Sequence, residues 1–265
     1  MNAVSISTAS NTPVVTSMPF RRVLGAYVAE ARSECLRYMR NPSFMLPILL
    51  FPTMFYLLFG IVLSKSEGPD VARYLLVSYG VFGVMSPGLF GFGVSLALER
   101  DGGLLTYKRA LPMPPGAYLL GKMLMAMLAA AVVILLLLAM GLGLAHVALT
   151  VRQASLLVLM GVLGVLPFCA LGMLVGTLIK GQGAPGALNL LYLPMSFLSG
   201  LWVPLNQLPK ALQQLAPVWP SYHLHQLGLA VLGMQHGTAS ADLLVLLGFT
   251  AVFFVIATRR LRRYG

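Results

Sequence analysis

The sequence predicts an all-α integral membrane protein with six transmembrane helices, an N-terminal interfacial amphipathic helix and short helices in an outer loop. Three observations lead to this fold class. Hydrophobic residues make up 58% of the 265 residues and charged residues only 9%, whereas soluble domains carry about a quarter charged residues. Six apolar stretches approach the ~20 residues that a spanning helix needs. The basic residues are divided unequally between the segments that flank these stretches.

The six predicted spans differ in the residues that interrupt their apolar composition. The second is rich in glycine, and the third contains the strongest apolar run, AAAVVILLLLAM. The fifth is short and ends at Trp202 and Pro204, so we expect it to be tilted or broken near its outer end. The predicted ranges are residues 44–63, 74–98, 119–145, 156–179, 188–203 and 243–258.

The positions of the basic residues predict the orientation. Fourteen lie before the first span, between spans two and three or just beyond that loop at Lys122, between spans four and five, or in the C-terminal tail, and four lie in the other loops. Basic residues accumulate on the cytoplasmic side, so the pattern predicts a protein of the cytoplasmic (inner) membrane with both termini in the cytoplasm. The net charge of +11 is thus read as a topology signal, and no nucleic-acid partner is expected.

The N-terminal region divides at about residue 17. Met1–Ser17 has neither the basic start nor the apolar core of a signal peptide, and it is predicted to be a disordered tail. Residues 18–265 are predicted to form one transmembrane domain. From Met18 to Arg40 apolar residues recur with a helical period, which predicts an amphipathic helix lying on the inner membrane surface, in contact with membrane lipids.

Two short helices are predicted in the long outer loop, residues 204–242. Pro209 can open the first and Pro217 can close it. Pro220 and Ser221 restart a helix that runs to Leu232, with Ser221 as the expected N-cap.

The segment 116–122, GAYLLGK, matches the first seven positions of a phosphate-binding loop. It lacks the hydroxyl residue at the eighth position, where Met123 stands, and no strand precedes it. Lys122 instead lies at the start of the third span. We therefore expect no ATP site, and no other cofactor or metal, on this chain.

No catalytic or metal-binding pattern stands out among the polar residues. His223 and His225 are two residues apart and lack the i,i+4 spacing of a zinc helix, so His146, His223, His225 and His236 are interpreted as interfacial or solvated. An intramembrane enzyme acting on lipid stays open as an alternative, and it would draw on His146, His223 and Ser221. A stand-alone channel or secondary carrier also stays open, although no carboxylate lies deep inside a span.

Glycine and proline are frequent in the second and fourth spans. Pro87 lies among five glycines in the second, and Gly172 and Gly176 form a GxxxG motif in the fourth. Such residues allow close helix packing or bending, and the sequence leaves both interpretations open.

Two motifs resemble those of the permease subunits of ABC-2 type transporters. The first follows span two and contains Glu99-Arg100, Gly103-Leu104, Arg109-Ala110-Leu111-Pro112 and Gly121-Lys122. The second lies in the outer loop and contains Ser199-Gly200-Leu201-Trp202-Val203-Pro204, Leu208-Pro209, Ala216-Pro217, Pro220 and Tyr222. The resemblance covers roughly residues 20–260.

The resemblance implies a half-transporter of an ATP-driven exporter. Two such subunits, a homodimer or a pair with a related permease, would form the substrate pathway, and two separate ATP-binding subunits would hold ATP and magnesium. Residues 99–112 would couple to the ATPase, through Glu99, Arg100, Gly103, Lys108, Arg109 and Pro112. The outer-loop helices would form an extracellular gate that includes Trp202, Pro204, Pro209, Pro217, Pro220 and Tyr222. The family does not fix the substrate.

Overall fold

The computed structural model describes residues 19–66, 68–111, 114–235 and 238–264, and every regular element in these ranges is helical. Five helices are long and apolar enough to cross a membrane. The predicted all-α membrane fold is therefore confirmed. The predicted tail, residues 1–17, lies outside the described ranges, so the tail and the domain boundary stay predictions.

Helix α1 (Phe20–Met39) is the amphipathic helix predicted before the first span. Phe20, Leu24 and Val28, four residues apart, are exposed along one side, whereas Glu34 is buried on another. After a turn at Arg40, α2 (Pro42–Phe55) begins with proline in its first turn, where a missing N–H costs nothing. It continues as a π-helical segment, Tyr56–Val62, and the two together form the first span.

The second span is the central helix of the bundle, and most of its residues are buried. It consists of α3 (Pro69–Ser86), a π-helical segment (Pro87–Val94) and α4 (Ser95–Asp101). Pro87 has no N–H to donate to the preceding turn, and the wider π turn begins at this residue. Helix α5 (Leu104–Ala110) follows after two glycines, and Gly103 has a positive φ of 74°.

The third and fourth spans form as the sequence predicts. Helix α6 (Pro115–Gly143) is the third, and α7 (Val151–Gly164) with α8 (Leu166–Leu178) forms the fourth. Thr150 caps α7 through a capping box with Gln153, which satisfies two backbone N–H groups at the helix start.

The fifth predicted span is shifted toward the N-terminus of its expected range. Helix α9 (Ala184–Leu198) begins four residues earlier than residue 188 and ends five residues before residue 203. It ends where Gly200 takes a positive φ of 79°, a conformation that glycine adopts readily. Its 15 residues extend about 22 Å, less than the ~30 Å hydrocarbon core. A total of six crossings therefore depends on this shorter apolar helix.

The outer segment, residues 204–231, contains α10 (Lys210–Leu215) and α11 (Pro220–Val231), with single 3₁₀ turns at Leu205–Gln207 and Ala216–Val218. Helix α12 (Ala239–Tyr264) is the last span. The two predicted short helices are therefore present. The N-cap prediction for Ser221 was wrong: the cap position is Trp219, and the Ser221 hydroxyl lies buried against Ser199 and the Met195 carbonyl.

Glycines bring the second and fourth spans into backbone contact. A Cβ atom added at Gly172 would lie 2.6 Å from the Gly88 carbonyl oxygen, and one added at Gly176 would lie 2.6 Å from that of Gly93. No side chain fits between these helices, so the predicted small-residue packing is present. The contact includes the π-helical segment, and the bending interpretation therefore stays open beside it.

Candidate functional site

Six charged side chains from four helices meet at the end of the bundle where α1 lies. We call them the charged cluster: three carboxylates and three cations, contributed by Glu30, Glu34 and Arg37 of α1, Glu99 of α4, Lys108 of α5 and Lys122 of α6. The cluster connects helices that are distant in sequence, and it includes two of the residues predicted to couple, Glu99 and Lys108.

Lys122 is the centre of the charged cluster, and none of its surface is exposed. Its ammonium group donates to Glu99 Oε1 at 2.7 Å, to Ser95 Oγ at 2.8 Å and to Glu34 Oε2 at 3.1 Å. An ammonium group has three protons to donate, so these three contacts satisfy all of them. A buried lysine with all its donors used is a structural connection between α1, α4 and α6.

Glu34 is 2% exposed and receives three cations. Its Oε1 accepts from Lys108 at 3.0 Å, and its Oε2 accepts from Lys122 and Arg37. Burial opposes ionisation, but Lys122, Arg37 and Lys108 together outweigh it and hold the pKa of the Glu34 carboxyl below its ordinary value. The stabilisation that follows is present at neutral pH and is lost as the pH falls through the folded-state pKa.

Glu99 joins the charged cluster from the end of the second span. Its Oε1 accepts from Arg37 and Lys122, and its Oε2 accepts from the Tyr118 hydroxyl at 2.7 Å. The Tyr118 ring also lies 4.5 Å from Lys108 Nζ and 5.1 Å from Lys122 Nζ, within cation–π range. Glu30 pairs with Lys108 at the solvent-accessible edge of the charged cluster. Every charge therefore faces an opposite charge.

Two glycines let α1 approach α6 closely enough for these contacts. A Cβ atom at Gly121 would lie 3.3 Å from the backbone nitrogen of Ala31, and one at Gly116 would lie 3.0 Å from the Tyr27 hydroxyl. The segment that resembles a phosphate-binding loop is thus the first two turns of a helix. Its glycines contact α1, and its lysine is held by carboxylates.

Arg100 and Asp101 follow Glu99 in sequence but contact the end of α8 and not the charged cluster. Arg100 donates to the carbonyl oxygens of Gly176 at 3.1 Å and Ile179 at 2.9 Å, and Asp101 accepts from the Gly181 N–H at 2.6 Å. The last carbonyls of a helix lack intrahelical partners, and an arginine can satisfy them. The end of the second span is therefore held on two sides, by the charged cluster and by α8.

The remaining residues predicted to couple lie on or beside α5. Gly103 supplies the turn between α4 and α5, and Lys108 points inward to the charged cluster. Arg109 lies in the last turn of the helix, and Pro112 lies outside the described residues. The outward face of α5 instead carries Tyr107, 63% exposed, and Leu111, 41% exposed, follows at its C-cap.

The positive φ of Gly103 leads to a first prediction. Replacing Gly103 with Ala places a Cβ in the left-handed region, which costs about 1–2 kcal/mol, although no atom lies within 4 Å of that Cβ. We expect Gly103→Ala to lower transport several-fold and thermal stability by a few degrees. Gly103→Asn is the control, because asparagine tolerates this conformation. Equal activity of Gly103→Ala and wild type would contradict the prediction.

The residues predicted to form a gate are spread along the outer segment and its entry. The prolines stand at helix starts: Pro204 and Pro209 at N-cap positions, Pro217 in a 3₁₀ turn and Pro220 in the first turn of α11. Tyr222 packs edge-on against His223 at 5.2 Å. Trp202 lies apart from them, against Phe55 and Phe82.

Trp202 belongs to an aromatic groove between the first, second and fifth predicted spans. The groove encloses about 440 Å³, and its polar contributions come from Ser43, Ser86, Asn189 and the Tyr192 hydroxyl. Its aromatic lining consists of Phe51, Phe55, Phe82, Phe90, Tyr192 and Trp202. No charged side chain is among the described lining residues, so the groove suits an apolar or aromatic group.

Two histidines interpreted as interfacial or solvated are in fact buried. His225 is 1% exposed, with Nε2 3.0 Å from Ser78 Oγ, and burial lowers its pKa to about 3. His223 contacts Asp242 and a backbone carbonyl. Ser221 and His223 therefore have separate partners, and the serine–base hydrogen bond that a nucleophile needs is absent from this described pair.

Sequence reasoning missed four members of the charged cluster and its tyrosine. Glu30, Glu34 and Arg37 follow a spacing of four and three residues on one helix, which places them on one face. Lys122 lies inside an apolar helix, where a charge needs a partner. These two signals together predict an ion-paired contact between α1 and α6, although they do not identify Tyr118.

The apolar spans are those of a multi-pass membrane protein, and the charged cluster joins its helices at one end of the bundle. A family model described as "ABC-2 type transporter" matches residues 26–232, and the chain belongs to this family. It is also 28% identical over 229 residues to a protein of Bacillus subtilis (strain 168) named "Putative transport permease YvfS"; the match covers 85% of this chain and 92% of that protein. Permeases of this family normally work with an ABC ATP-binding subunit.

Proposed function

We propose that this chain is the membrane-spanning subunit of an ATP-driven ABC exporter. It works as a dimer, with itself or with a related permease, and two separate ATP-binding subunits hold the ATP and magnesium. The phosphate-loop-like segment 116–122 supports this division of labour, because it forms the first turns of a transmembrane helix and its lysine is fully used by Glu34, Glu99 and Ser95.

The observation that supports coupling most directly is the attachment of α5. Lys108 ties its inner side to Glu30 and Glu34, while Tyr107 is exposed on its outer side. A partner that pushes on Tyr107 and Leu111 moves a short helix that is joined to α1 and, through Glu34 and Lys122, to α6. Force applied at one surface thus reaches two further helices.

The aromatic groove supports an apolar or amphipathic cargo. Its lining is uncharged, and it lies beside Trp202, where the outer segment begins. A small ion would need charged ligands or a ring of carbonyl oxygens, whereas the described lining has no charged side chain and one side-chain amide, that of Asn189. The groove favours lipid-like molecules over ions and leaves the individual substrate unspecified.

We place the protein in the cytoplasmic membrane with both termini in the cytoplasm. The excess of basic residues on that side supports this orientation. In this arrangement the charged cluster and α5 lie at the cytoplasmic surface, and the outer segment lies on the other side. The arrangement requires α9 to complete a crossing, together with the turn at residues 199–203.

A charge placed on the outward face of α5 tests the proposal. We expect Tyr107→Asp to weaken association with the ATP-binding subunit that co-purifies with this chain by about 30-fold, since an aromatic anchor at an interface contributes about 2 kcal/mol or more. The measurement is co-purification and quantitative binding in detergent, together with ATP-dependent transport in liposomes.

Val151→Asp is the matched control for this substitution. Val151 is 88% exposed at the start of α7, on the opposite end of the bundle, and an acidic residue is favourable at a helix start. Binding should stay at the wild-type level. Transport by liposomes that contain this chain alone, without ATP, would instead support the stand-alone channel or carrier and would refute the proposal.

A further inference from the structure

His223 lies between two hydrogen-bond acceptors in the outer segment. Its Nδ1 is 2.7 Å from Asp242 Oδ1, and its Nε2 is 2.9 Å from the carbonyl oxygen of Pro217. His223 and Asp242 are each 8% exposed. The ring thus joins three elements: the 3₁₀ turn Ala216–Val218, α11 and the first turn of α12.

The two partners determine how many protons the ring carries. A backbone carbonyl and a carboxylate can only accept hydrogen bonds, and a neutral imidazole has one N–H to donate. Both ring nitrogens can donate only in the imidazolium form. Turning the ring by half a rotation would direct two C–H groups at the same oxygens, so the observed orientation is the one that makes both bonds.

The surroundings provide a negative charge for this imidazolium. Asp242 Oδ2 accepts from the Gln235 amide at 3.3 Å, an acceptor role that fits an ionised carboxylate. Tyr222 is the other titratable group beside the ring, and burial followed by Asp242 raises the pKa of its hydroxyl, which keeps it neutral.

Charged groups on the neighbouring elements have other contacts or are exposed to solvent. Arg73 of α3 pairs with Asp70 at 3.7 Å, and Arg152 of α7 and Lys210 of α10 are exposed. His225, on the same helix as His223, contacts Ser78. Among the described contacts of His223, Asp242 supplies the compensating charge.

We infer that His223 is an imidazolium that fastens the outer segment to α12, so that acidic conditions strengthen this attachment and alkaline conditions remove one of its two hydrogen bonds. The protonation of His223 stands on geometry alone. Its use as a proton-dependent latch on the outer gate rests on the proposed transport function.

Nitrogen NMR of the full chain in detergent tests the protonation directly. With ¹⁵N-labelled histidine at about pH 6.5, we expect a signal with both ring nitrogens protonated that is present in wild type and absent in His223→Gln. A His223 signal with one unprotonated nitrogen would overturn the inference, including the case in which the shared proton resides on Asp242.

Thermal unfolding as a function of pH tests the latch without any transport assay. In Asp242→Asn the amide can donate to a neutral Nδ1 while Nε2–H still donates to Pro217, so the bridge no longer needs the second proton. Between about pH 6 and pH 8.5, the unfolding temperature of wild type should fall by at least about 3 °C more than that of Asp242→Asn. This difference is roughly the effect of one charged hydrogen bond.

His146→Gln is the matched control, because His146 is exposed outside the bridge, and it should keep the wild-type pH dependence. If the unfolding temperatures of wild type and Asp242→Asn changed equally with pH, the proposed latch would be refuted. Failure of ATP-dependent transport with the expected NMR and pH results would refute the proposed function and leave the imidazolium in place.

Discussion

Replacing Lys122 with Met is expected to destabilise the protein by about 3–5 kcal/mol, the usual cost of removing one partner from a buried ion pair. The substitution keeps the length and apolar stem of the side chain, but it leaves the charged cluster with three carboxylates and two cations. Glu34 and Glu99 would then face each other without the ammonium group between them. Thermal or denaturant unfolding of the detergent-solubilised chain measures the effect, and transport should fall with it.

Two variants serve as controls for this prediction. Lys122→Met combined with Glu34→Gln restores equal numbers of charges, so it should recover part of the lost stability. Lys108→Met should cost less, because Lys108 is 14% exposed and water can reach the edge of the charged cluster. If Lys122→Met were as stable as wild type, the cluster would not be a charge-compensated unit.

Replacing Gly172 with Ala is expected to separate the second and fourth spans. The added methyl would lie 2.6 Å from the Gly88 carbonyl oxygen and 3.0 Å from that of Leu89. These are backbone atoms, which cannot rotate away as a side chain can, so the helices must shift. Overpacking of this kind costs about 1–3 kcal/mol, and we expect lower thermal stability with a corresponding loss of transport.

Gly248→Ala is the matched control, because it makes the same change inside a membrane helix with no atom within 4 Å of the new methyl. It should leave stability unchanged or slightly higher, since alanine favours helix. The pair of measurements also separates the two interpretations of these glycines. Loss of stability and transport together indicates packing, and loss of transport at wild-type stability indicates that the helix bends at the π segment.

Local patterns predicted most of the fold. Apolar length located five spans, and amphipathic periodicity located α1, because both signals are contained within a single helix. The fifth predicted span was placed less well, since the turn at Ser199 and Gly200 interrupts an apolar stretch without any charged residue to mark it. Hydropathy registers composition, and it does not register a change in backbone direction.

The candidate site was predicted only in part, because its contacts join distant residues. Glu34 and Lys122 are separated by 88 positions, and Glu99 and Arg100, adjacent in sequence, face opposite neighbours. Residue type alone could not show that Lys108 points inward while Tyr107 points outward. For His223, the outer-loop position favoured a solvated side chain, whereas Asp242 and Pro217 bury it.

The exposed apolar face of α1 has a mechanical consequence for the proposed cycle. Phe20, Leu24 and Val28 are free to enter the lipid headgroup region, while the opposite side of the same helix is joined to α5 through Lys108. In the proposed cycle a displacement of α5 would therefore also move α1, whose apolar side would lie in the membrane surface. Each turnover would then do work against the lipid around α1, so bilayer thickness and lateral pressure would affect the energy that the cycle requires.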